Sequence, residues 1–140
     1  MWMKYYTKQQ IVMQNRFFMQ EGEHTPCIDF NLETMTFRIE GSSFVEFPSV
    51  IYSKAINWLE AFLKSPPISS LQLTLKLSYF NTKFRYVLFD IFTVLSQKQV
   101  KAIINWYITP DITDSKEDGE FFHECFPELE FHFIESHATR

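Results

Sequence analysis

Residues 71–79 read Leu-Gln-Leu-Thr-Leu-Lys-Leu-Ser-Tyr, a strict alternation that an extended strand resolves into one apolar and one polar face. Wound as a helix, the same leucines would scatter around the axis. The segment therefore predicts a strand with one face on a core and the other in water. Asn81 and Thr82 follow, then Phe84, Val87, Leu88, Ile91, Phe92 and Leu95 at helical spacing. Asn and Thr carry side-chain oxygens that accept from the free amides of a helix start. Strand, short turn and amphipathic helix are thus predicted in direct succession.

The flanking sequence supplies similar units. Pro26 to Leu32 and Thr36 to Glu40 alternate like a hairpin whose second strand stops at Gly41. Pro48 is suited to a helix start, and Ile51, Ala55, Trp58, Leu59 and Phe62 recur at helical spacing up to the stop at Ser65-Pro66-Pro67. Val100 to Tyr107 is a β-branched and aromatic run, Asp111 to Asp118 an acidic loop, Glu120 to Phe126 a short helix and Leu129 to Ile134 a last strand. Residues 1–22 mix Tyr5, Tyr6, Ile11, Val12, Phe17 and Phe18 with polar residues without a period, between an added helix and a loose extension. The expected organisation is an N-terminal extension, 1–22, and a single α/β domain, 23–140, in the order β-β-α-β-α-β-α-β. Strands separated by helices pair in parallel and the opening hairpin is antiparallel, so the sheet is mixed and mostly parallel, of about five strands. Because the 71–79 strand is amphipathic, the helices should lie mainly on one face. The other face, with Arg38, Thr74, Lys76 and His132, should be accessible.

Composition narrows the function. Phenylalanine alone contributes 16 residues and the chain is 46% hydrophobic, the profile of a chain that folds. A net charge of −4 without a basic stripe argues against nucleic acid. No run of about 18 apolar residues spans a bilayer, and the start lacks a secretory apolar stretch, so a cytoplasmic address is expected. Cys27 and Cys125 lack CxxC spacing, and three glycines exclude a phosphate-binding P-loop or a dinucleotide fingerprint. His24, His123, His132 and His137 form no metal-binding pattern, and the acidic loop lacks calcium-loop spacing. His123 and Cys125, two apart on a helix, do not face each other, and Trp58 and Trp106 sit within apolar periods as core residues. A hydrolytic or ligand site on the acidic loop and His123 would have no motif behind it. The expectation is a non-enzymatic binding domain without a cofactor.

The turn at Tyr79-Phe80-Asn81-Thr82 has its own logic. It brings the Thr82 hydroxyl to the C-terminal edge of the sheet, where α/β proteins present functional groups. A phosphate there adds about two negative charges beside the positive end of a helix, which the fold tolerates. The plain alternative is a helix cap, worth about 1 kcal/mol.

The stretch Leu71 to Asp90, centred on Leu77-Ser78-Tyr79-Phe80-Asn81-Thr82, resembles the SiaC family of bacterial regulatory phosphoproteins. Ile56-Asn57-Trp58-Leu59, Ile104-Asn105-Trp106-Tyr107, Thr25-Pro26, Arg38-Ile39-Glu40-Gly41, Asp118-Gly119-Glu120-Phe121 and Leu129-Glu130-Phe131 extend the likeness over about residues 24 to 135. The resemblance implies a fold like the anti-sigma-factor antagonists (STAS-like) and a partner-switching role. A protein kinase would phosphorylate the domain, a PP2C-type phosphatase would reverse this, and a downstream partner such as a diguanylate cyclase would tie it to cyclic-di-GMP signalling. By motif position the phosphorylated residue would be Thr82, with Tyr79, Asn81, Lys83, Arg85 and Tyr86 as partner-binding neighbours. The sequence departs from the family at Lys83-Phe84-Arg85, where small hydroxylated residues usually follow the threonine. That departure motivates the alternative of a constitutive protein-interaction domain that has lost the switch.

Overall fold

A computed structural model describes residues 10–64, 69–97, 100–112 and 114–135. The chain runs β1 (Gln10–Met13), β2 (Arg16–Met19), β3 (Cys27–Asn31), β4 (Thr36–Ser43), α1 (Pro48–Phe62), β5 (Ser70–Phe80), α2 (Thr82–Ser96), β6 (Lys101–Ile108), α3 (Ser115–Cys125) and β7 (Glu130–Glu135). The seven strands of the described residues form one sheet in which spatial order follows chain order. The pairs from β1 to β4 are antiparallel, and those from β4 to β7 are parallel, each bridged by a helix. Successive crossovers of one hand that advance in one direction deliver every helix to the same face.

Burial alternates accordingly. In β5, Leu71, Leu73, Leu75 and Leu77 are buried while Gln72, Lys76 and Ser78 are exposed. Each such leucine contributes about 1.5–3 kcal/mol by leaving water. The same layer continues sideways through Phe17, Phe30, Phe37, Ile104, Trp106 and Phe131, beneath Leu59, Phe84, Leu88, Phe92 and Phe122 of the helices. On the opposite face register aligns Asp29, Arg38, Thr74, Asn105 and His132 in a polar row. Asp29 is buried there because Arg16 donates from Nε and Nη2 to its two oxygens, both at 3.1 Å, and Arg38 approaches to 3.6 Å. The accessible second face holds Arg38, Thr74, Lys76 and His132, as the alternation of β5 implies.

Four expectations need correction. Among the described residues the sheet has seven strands rather than about five, with antiparallel and parallel pairs equal in number. Residues 10–19 are neither helix nor loose extension but a hairpin on β3, held from above by Trp58, whose indole N–H donates to the Met13 carbonyl at 2.6 Å. Gly41 does not end β4; its φ of +121° admits a bulge, and pairing with β5 resumes at Ser43. The acidic segment becomes helical already at Ser115, so Glu117 and Asp118 belong to α3, whose helix was expected to begin only at Glu120. Gly119 permits this: a Cβ there would sit 2.7 Å from Phe133 and 2.8 Å from the Trp106 nitrogen. The stop at Ser65-Pro66-Pro67 and residues 1–9 lie outside the described residues.

Candidate functional site

The site is built where β5 hands over to α2. Asn81 is the N-cap: its Oδ1 accepts from the Phe84 N–H at 3.0 Å. Its Nδ2 donates to the Val45 carbonyl at 3.3 Å, and its backbone N–H donates to the Ser43 carbonyl at 3.0 Å. One residue thereby joins the end of β5, the start of α2 and the segment leaving β4. The cap role belongs to Asn81, so the Thr82 hydroxyl is not needed for it. Thr82 is the first residue of α2 and is exposed.

Around Thr82 the candidates divide by direction. Lys83 Nζ donates to the Glu46 carbonyl at 2.8 Å and sits 5.7 Å from the Phe47 ring centroid, toward the β4–α1 segment. Arg85 turns to the other side, with Nη1 2.8 Å from Asp118 Oδ1 of α3 and its guanidinium 5.7 Å from the Phe80 ring centroid. Tyr79 is 52% exposed and meets Phe44 edge-on at 5.9 Å; Tyr86 is 67% exposed. Tyr86 and Lys83 also border a cavity of about 350 Å³ between α1 and α2, floored by Tyr52, Ile56 and Val87. The structure thus gathers Tyr79, Asn81, Thr82, Lys83, Arg85 and Tyr86 on one end of the molecule.

Sequence reading missed three contributors. Phe44 and Phe47, both exposed, come from the short β4–α1 segment; their signal was two aromatics in a stretch with no period to bury them. Asp118, read as one charge of a solvated loop, is largely covered and paired with Arg85. Its partner lies in another element, which no local pattern announces.

Below this surface the supports are buried. The Tyr52 hydroxyl lies 2.6 Å from the Ser43 hydroxyl, and burial pushes its pKa up to about 12, the hydrogen bond partly opposing the shift. Ser115, at the start of α3, accepts from the Thr109 N–H at 2.9 Å and its carbonyl accepts from Trp106 at 3.0 Å. Thr109 in turn donates from its hydroxyl to the Leu77 carbonyl at 2.8 Å. These bonds fix the head of α3, and so Asp118, against the strand that leads to Thr82. His123 meets Phe131 and Phe133 in tilted ring contacts, with centroids 5.3 and 6.1 Å away. Among the described residues no group of three His, Cys, Asp or Glu side chains is arranged to hold a metal, and no helix is long and apolar enough to cross a membrane.

The geometry offers an exposed threonine on a turn that Asn81 holds by three hydrogen bonds, flanked by exposed aromatics and two engaged cations. Solved structures of similar fold include apo-SiaC from Pseudomonas aeruginosa, with a TM-score of 0.75 at 22% identity over 86% of this chain and 98% of that one. A chain in the crystal structure of the diguanylate cyclase SiaD in complex with its activator SiaC, from the same organism, gives a TM-score of 0.76 at 22% identity, covering 85% and 98%. At this identity they establish the fold. No curated protein matches the sequence. The sequence matches the family described as SiaC family regulatory phosphoprotein over residues 19–136. With a match that spans both the scaffold and the β5–α2 turn, the chain belongs to the SiaC family of regulatory phosphoproteins.

Proposed function

We propose that this chain is the non-enzymatic, reversibly phosphorylated component of a cytoplasmic partner-switching module. A protein kinase modifies Thr82, a PP2C-type phosphatase restores it, and the unmodified surface around Tyr79, Asn81, Lys83, Arg85 and Tyr86 docks a downstream protein of the diguanylate cyclase class. The observation that carries this reading is the exposed Thr82 at the head of α2, on a turn that Asn81 caps without it. Membership in a family of regulatory phosphoproteins supports the modification, and a structural relative described as the activator of a diguanylate cyclase supports the class of partner.

The mechanism is electrostatic. Phosphate adds about −1.5 to −2 charges. In a docked interface these must leave water or meet like charge, which opposes binding while the domain itself stays folded. The test is intact mass and peptide mapping of wild type and Thr82→Ala after co-expression with a kinase from the gene neighbourhood, followed by partner binding of Thr82→Glu. One phosphate on wild type, none on Thr82→Ala and weakened binding of Thr82→Glu are expected. No uptake by either chain would make the constitutive interaction domain the better reading, and wild-type affinity of Thr82→Glu would remove the switch.

A further inference from the structure

Helix residues three apart are neighbours, with Cβ atoms roughly 5–6 Å apart, and their side chains lean toward the helix N-terminus. Arg85 stands in that relation to Thr82, and its guanidinium has folded back far enough to lie over Phe80, the last residue of β5. Two contacts hold the arginine head, the Phe80 ring with its centroid 5.7 Å away and the Asp118 carboxylate at 2.8 Å. The Asp118 side chain is only 14% exposed, so this pair is better sheltered than most surface ion pairs. A guanidinium is a planar fork with five donors, and the contact with Asp118 is made through Nη1. Lys83, adjacent to Thr82, points elsewhere and is committed to the Glu46 carbonyl.

We propose that Arg85, pre-oriented by Asp118 and Phe80, is the receptor for a phosphate carried on Thr82, and that Asp118 is the positioning residue of this pair. The assignment rests on Thr82 being the modified residue. It gives the replacement of small residues by Lys83-Phe84-Arg85 a division of labour: Arg85 reads the phosphate, and Lys83 fastens the β4–α1 segment. The mark is then registered across two helices, because the arginine that meets it also holds α3.

The experiment uses the full chain with phosphothreonine incorporated at position 82 during synthesis, so it needs no kinase and stays separate from whether a kinase acts. The probe is the phosphate itself, followed by phosphorus NMR across its second ionisation, near pH 6. A guanidinium partner favours the dianion, so Arg85→Gln should raise that midpoint by roughly half a unit, and Lys83→Gln by clearly less. An unchanged midpoint in Arg85→Gln, or a larger shift in Lys83→Gln, overturns the assignment. Should Arg85→Gln fail to fold, the Arg85 Nε–H resonance of the otherwise unaltered chain decides: it moves when Thr82 is replaced by phosphothreonine, and an unmoved resonance overturns the assignment. Asp118→Asn should broaden that resonance in the phosphorylated chain, whereas a sharp, unshifted signal would remove Asp118 from its positioning role. Absence of phosphate uptake from a kinase, measured separately, would count against the reading of Thr82 and not against Arg85.

Discussion

Replacing Asn81 with alanine isolates what holds the β5–α2 turn together. The substitution removes the Oδ1 acceptor of the Phe84 N–H and the Nδ2 donor to the Val45 carbonyl, and leaves the backbone bond to Ser43 in place. Loss of an N-cap to alanine costs about 1 kcal/mol, and the longer bond to Val45 about 0.5–1 kcal/mol more. The expected loss is therefore about 1.5–2 kcal/mol. For 140 residues, an unfolding entropy of about 2.1 cal/mol/K per residue converts this to a Tm drop of roughly 5–7 °C. Asn81→Asp keeps the acceptor and sets a negative charge at the helix start, worth about 0.3–1 kcal/mol, which offsets the lost donor. It should cost less than half as much as alanine. Urea denaturation of the three chains measures both differences. A loss below ~0.5 kcal/mol for Asn81→Ala, or an equal loss for Asn81→Asp, would refute the assignment of the cap as the main stitch.

Two further outcomes are expected. Gly119→Ala places a methyl within 3 Å of the Trp106 and Phe133 rings, an overpacking cost of about 3 kcal/mol that a helix-propensity gain of about 1 kcal/mol reduces to a net loss of about 2 kcal/mol; equal or greater stability in urea would show that α3 can lift away freely. Tyr52 has a folded pKa raised from 10.0 to about 12, so its contribution is fully present below pH 10 and is lost as pH rises toward 12, where the unfolded chain releases the proton first. Between those values wild type should lose more stability than Tyr52→Phe, and parallel pH profiles for the two would contradict the buried, protonated hydroxyl.

How much of this was legible depended on whether one face of an element met one environment. β5 and α2 each present a single apolar face to a single core, so their periods are clean. The 10–19 hairpin defeats that test: Phe17 is fully buried, but its neighbour Phe18 lies under the Arg16 guanidinium, 4.9 Å away, and two adjacent phenylalanines spoil the alternation. The start of α3 was obscured because Glu117 and Asp118 look like a loop although acids favour a helix's first turn. Gly119, too, looks like a breaker although it serves close packing. At the site, Asn81 and Thr82 were readable because a cap is a local device. The Arg85–Asp118 pair and the bond from Lys83 to Glu46 join distant segments, and no spacing in one chain encodes them.

The agreement between strand order and chain order has a kinetic side. Each strand from β2 onward docks on the one made just before it, so the sheet can grow outward from its first hairpin without a long loop having to close around an unfinished middle. The anchors of the Thr82 turn, Ser43 and Val45, precede it in the chain and are in position once β5 has settled on β4. The Arg85–Asp118 clasp must wait for α3. A nascent chain on the ribosome would thus expose a finished β5–α2 turn before the clasp beside it exists, and the two states would differ in how firmly the head of α2 is held from the α3 side.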